Sequence, residues 1–75
     1  MEKGNDTKSY VEKLTKIIPY WIKHNSEHIE EHKNWMENAR SLGFTEIADE
    51  LEKVMNLLKE ANKHIDIIKQ KVESL

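Results

Sequence analysis

Seventy-five residues with a formal charge of −2 and 35 % charged side chains limit the chain to one small domain with a heavily charged surface. Leu, Ile, Val and Phe together make 18 residues, enough for a fold but only a modest core. Cysteine is absent, which excludes disulfides and thiolate chemistry, and lysines alternate with glutamates without the basic block that nucleic-acid binding needs.

No apolar run approaches the ~20 residues that span a bilayer. The leading Met1-Glu2-Lys3-Gly4-Asn5-Asp6 lacks a signal-peptide core, so the cytoplasm is the expected location. The reading is a single helical domain over residues 1–75. Asn5, Asp6 or Thr7 offers a cap for a first helix. Tyr10, Val11, Leu14, Ile17 and Ile18 follow at helical spacing, and Pro19 then interrupts. Proline suits the first turn of a helix and removes a hydrogen bond inside one. A break or sharp kink at Pro19 is the primary expectation, and continuity through it the alternative.

A second helix is expected over residues 19–42. Gly43 suits the left-handed position past its end, with Phe44 folding back on Ala39. Thr45 is the expected cap of a third helix, and Glu46 suits its first turn. Ile47, Leu51, Val54, Met55, Leu58, Ala61, Asn62, Ile65, Ile68 and Val72 make that helix the clearest amphipathic pattern in the chain. The short connection makes helices two and three antiparallel. The expected fold is all-α: an antiparallel helical hairpin with a short N-terminal helix, together a three-helix bundle. Assembly into a larger bundle is the companion expectation, because a bare hairpin buries little.

Trp21, His24, His28, His32 and Trp35 crowd one stretch of the second helix. At about 100° per residue, His28 and His32 fall within ~20° of Trp21, and His24 lies ~60° away. A stripe that should be dry thus carries imidazoles, which need partners when buried. His24, His28 and His32 are spaced at four residues, so neighbours lie ~6 Å apart along the axis and can share an ion. Folding at Gly43 pairs positions whose numbers sum to about 87, which brings His64 level with His24. His24, His28 and His64 form the expected ligand trio for nickel, zinc or copper; His32 or Glu31 would serve a second site, a subunit interface, or nothing. Glu27, Glu30 and Glu31 read as a solvated face, with Glu27 and Glu31 placed to draw cations toward the histidines.

The same register sets Asn25 opposite Asn62. The pair either fixes register as a polar core layer or holds a ligating imidazole by hydrogen bonding. Trp21, Trp35, Met36 and Met55 read as core. Catalysis is not expected. No phosphate loop or nucleophile elbow occurs, and Ile29 stands where a zincin motif needs glutamate. Metal binding and a structural or protein-interaction bundle are the two competing functions. Ile67 points ~160° from the third helix's stripe, so either the first helix or another subunit of a homo-oligomer should cover it.

Pro19-Tyr20-Trp21-Ile22-Lys23-His24-Asn25-Ser26-Glu27-His28 resembles the P-H-W-I-x-H-N-x-x-H stretch of small helical proteins and domains of anaerobes and archaea. Trp35, Ala39, Gly43 and Glu60-Ala61-Asn62 extend the likeness. Related segments are appended to nickel-binding proteins of carbon monoxide dehydrogenase maturation. The resemblance implies metal handling, with a metalloprotein client or metal-handling partner. Tyr20 replaces a frequent histidine of that stretch, and His32 a common aromatic.

Overall fold

The computed structural model describes residues 3–75, and side chains from Asp6 onward. It contains two helices, α1 (Lys3–Ser41) and α2 (Thr45–Glu73), folded as an antiparallel hairpin. The molecule measures 60 × 18 × 15 Å. Thirty-nine residues at 1.5 Å rise reach about 59 Å, so α1 alone accounts for the long dimension.

The expected break at Pro19 does not occur, and no separate first helix folds back to complete a three-helix bundle. An interior proline costs about 3 kcal/mol or more. Ile18 and Ile22, on either side of it, pack into the hairpin seam, Ile18 to 1 % exposure. Full burial of Ile18 is worth about 1.5–3 kcal/mol and the half-buried Ile22 adds a part of that, which offsets the proline. Pro19 itself stays exposed on the seam's flank, beside Lys69, Val72 and Glu73. The missing amide leaves the carbonyl of Thr15 without its usual partner.

The seam repeats every seven residues on both helices. In α1 it comprises Ile18, Asn25, His32 and Ala39, interleaved with Ile22, Ile29 and Met36. In α2 it comprises Ala48, Met55 and Asn62, interleaved with Leu51, Leu58, Ile65 and Val72. All are buried or half-buried, which is the arrangement of a short antiparallel coiled coil. Two alanines, Ala39 and Ala48, let the helices approach near the turn. Met36 and Met55 fill the seam as expected. Trp21 and Trp35 do not: they are 38 % and 64 % exposed. The expected stripe was centred on Trp21, whereas the seam is centred on Ile18, three residues and ~60° away.

The turn is a Schellman stop. Phe44 N–H donates to the Ala39 carbonyl at 2.9 Å, and Gly43 N–H to Arg40 at 3.1 Å. Gly43 has φ +86°, and an added Cβ would meet nothing within 4 Å. Gly43→Ala should therefore cost only the left-handed backbone penalty, about 1–2 kcal/mol. A thermal melt should show a drop on the order of 4–16 °C.

The caps differ from expectation. Phe44, not Thr45, precedes α2, with no side-chain capping bond. Asp6 and Thr7 lie inside α1, which starts at Lys3. The side chain of Asn5, like Met1 and Glu2, lies outside the described residues. Among the described residues, no helix is long and apolar enough to cross a membrane.

Candidate metal-binding site and the hairpin flanks

Four aromatic rings climb α1 at four-residue spacing: Tyr20, His24, His28 and His32. Successive ring centroids lie 5.6, 4.4 and 6.5 Å apart. Four residues on a helix turn through 400°, so the row drifts steadily around the axis. It starts in solvent at Tyr20 and His24 and ends half-buried at His32 in the seam.

His24 and His28 converge. Their Nε2 atoms are 3.0 Å apart, with the rings at 88°. In the free protein this is an imidazole–imidazole hydrogen bond, with one Nε2–H donating to the other ring's lone pair. On the far side of His28, Nδ1 lies 3.7 Å from Glu31 Oε2. A carboxylate behind the non-ligating nitrogen is the usual support of a metal-bound histidine. His24 is backed by Tyr20, stacked within 13° of parallel.

His32 behaves differently. Its Nδ1–H donates to the His28 carbonyl at 2.8 Å. A carbonyl only accepts, so the neutral ring carries its lone pair on Nε2. His64 is exposed on α2. No group of three or more His, Asp or Glu side chains among the described residues is gathered to hold a metal, so the expected trio of His24, His28 and His64 is not assembled within one chain. Sharing a level does not bring their heads together, because both His24 and His64 project outward from the seam.

Asn62 sits in the seam, but its amide turns to Ser26 rather than to Asn25, donating from Nδ2 to Ser26 Oγ at 3.4 Å. Its Oδ1 is buried with no hydrogen-bond partner among the described residues. The expected mutual Asn25/Asn62 bond is thus replaced by a long bond to the next residue along.

The two flanks of the seam differ in character. Residues that follow seam positions form the polar flank. Arg40 pairs with Asp49 at 3.3 Å and Glu52 at 3.5 Å, and Ser26 takes the Asn62 bond. Residues that precede seam positions form the opposite flank, which is apolar. There Leu14, Trp21, Trp35 and Leu42 of the first arm run beside Ile47, Val54 and Ile68 of the second. Open apolar grooves lie along it, lined by Tyr10, Leu14, Ile17 and Trp21 at one end and Ile47, Leu51 and Val54 at the other. The sequence pattern placed Ile47, Val54 and Ile68 on the inward stripe of α2 and both tryptophans in the core. The second seven-residue series was the signal that separates them. Ile67 lies elsewhere on α2 and stays 42 % exposed, with no first helix over it.

The family described as Domain of unknown function (DUF8180) matches residues 14–72. The chain belongs to this family. The match takes in the hairpin from Leu14 to Val72, including all four histidines. No curated protein and no solved structure matches this DUF8180 chain.

Proposed function

We propose that the chain is a small non-enzymatic, cytoplasmic metal-binding protein that takes a divalent transition ion between His24 and His28. The observation that carries the reading is the 3.0 Å separation of the two Nε2 atoms. With metal–nitrogen bonds of about 2.0–2.1 Å, two nitrogens on one ion lie about 2.9 Å apart at a right angle and about 3.4 Å at the tetrahedral angle. An ion can therefore replace the shared proton at nearly the same nitrogen separation, each ring turning by roughly 35–45° to aim its lone pair at the metal. Glu31, 3.7 Å from the outward nitrogen of His28, stands close enough to accept its proton with a small side-chain adjustment. Imidazole ligands suit nickel, zinc and copper, and the general affinity order puts copper tightest. The resemblance of the Trp21, His24, Asn25, His28 stretch to segments of nickel-handling proteins favours nickel as the working ion and a metalloprotein client as its recipient.

The test is a set of melting curves with nickel, zinc or copper against chelator. An ion at a hundred times its dissociation constant adds about 2.7 kcal/mol. For a chain of this size that is a rise on the order of 10–20 °C. His24→Ala and His28→Ala should each abolish the rise, and His64→Ala should leave it intact. Unchanged melting with all three ions would overturn the reading.

A structural or interaction role is the second reading. It is favoured by the polar residues Asn25 and His32 of α1, seven apart, and Asn62 of α2 inside the seam, which cost stability and specify register. Replacing all three by leucines should leave a helical protein of altered mass or mixed register by light scattering and cross-linking.

A further inference from the structure

The apolar flank of α1 reads the same in both directions: Leu14, Trp21, His28, Trp35, Leu42. Its centre is His28. The flank of the second arm does likewise in character: Ile47, Val54, Ala61, Ile68, Leu75, with its smallest member, Ala61, at the centre. In the hairpin register Ala61 lies level with position 26, about 3 Å from the level of His28. One axis perpendicular to the helices therefore passes near the middle of both series.

We infer that this face docks a second copy of the same chain, with α1 antiparallel to its counterpart and the two-fold axis at His28. Two-fold contacts require a patch that is complementary to itself. Rotation about this axis lays Leu14 on the counterpart's Leu42 and Trp21 on its Trp35. It also sets the second arm antiparallel to its counterpart, with Ile47 about 6 Å along the axis from the counterpart's Leu75 and Val54 about 6 Å from its Ile68. Bulk meets equal bulk along the first series, and the small Ala61 leaves room where the arms cross the axis. The product is a four-helix bundle, which covers the face that each hairpin leaves in water.

The area fits. From Leu14 to Leu42 the face is about 42 Å long, and the hairpin is 18 Å wide. That is on the order of 750 Å², near the ~800 Å² each partner of a stable complex buries. The charged flank of Arg40, Asp49 and Glu52 lies on the other side and stays in water.

The axis also brings two His24/His28 pairs to one level, four imidazoles in all. This last clause rests on the metal reading above; the docking itself does not.

Light scattering of the full chain in chelator should give twice 8.9 kDa. The chain has no cysteine, so single spin labels at Glu27→Cys and Lys13→Cys report the axis. Around His28 the two labels at 27 are offset by about 3 Å along the helices and those at 13 by about 45 Å. Label distances should accordingly be short at 27 and long at 13. A monomer, or similar distances at both positions, overturns the inference. Trp35→Glu should halve the mass while helical circular dichroism persists, since Trp35 lies outside the seam; an unchanged dimer overturns it too. Titrating the dimer with nickel chloride tests the four-imidazole site alone. One ion per two chains supports it and one per chain overturns it. No binding overturns the metal reading and leaves the dimer standing.

Discussion

Asn62→Leu should make the protein more stable. Asn62 occupies a seam position, and its Oδ1 is buried without a partner among the described residues. Its other end makes only a 3.4 Å bond to Ser26. Turning the amide over merely exchanges which atom is orphaned. A buried unsatisfied group costs about 1–3 kcal/mol, and leucine adds apolar contact with the seam. The melting temperature should rise by roughly 5–20 °C. The rise should come with looser register, because a buried amide in a seam penalises misaligned pairings. A fall in stability would show that Oδ1 has a partner in solution. Asn25 is the nearest candidate by register, and a double-mutant cycle with Asn25→Leu would then give a coupling energy well away from zero.

The second large effect is a loss. Ile18 is the largest side chain that is fully buried, at 1 % exposure. Ile18→Ala should cost about 2–5 kcal/mol, a large part of what so small a domain can hold. The loss should also fall unevenly. Ile18 anchors the turn in which Pro19 omits a hydrogen bond, so removing it favours the break that Pro19 invites. Far-ultraviolet circular dichroism below the melting transition should then show reduced helix, whereas Gly43→Ala should melt earlier from a full helical signal. Equal helix content in the two variants would mean that Ile18 does not hold α1 straight.

The hairpin was legible because its signals are local. Gly43 with the Leu42 and Phe44 neighbours marks the stop, and α2 carries one dominant face. Pro19 misled because its penalty is local while the compensation from Ile18 and Ile22 exists only once α2 is packed. The tryptophans misled for a different reason. Two seven-residue series run ~60° apart on α1, and the bulkier one, with Trp21 and Trp35, is not the one that α2 covers. Alanines at 39 and 48 and the isoleucine at 18 allow closer packing than two indoles would. At the candidate site, the four-residue spacing of His24 and His28 was enough to bring their rings together. The position of His64 was judged by level alone, and level along an axis says little about where a side chain's head ends. Asn25, His32 and Asn62 were legible as polar residues on an inward face, but whether an amide turns to its opposite number or to Ser26 depends on rotamers that spacing does not encode.

α1 outruns α2. Residues 6–10 are all exposed, and coverage begins only at Val11. A helix that short is marginal by itself. Pro19 has no amide proton, and the carbonyl it would have satisfied is Thr15's, so a fray that enters from the N-terminus meets a link already missing at that turn. Amide hydrogen exchange should divide the chain accordingly. Amides ahead of Thr15 should trade deuterium early and together, while those of Ile22, Ile29, Met55 and Leu58 wait for the whole hairpin to open. The leading turns would then behave as a separate cooperative unit, able to melt and re-form many times within one lifetime of the folded seam.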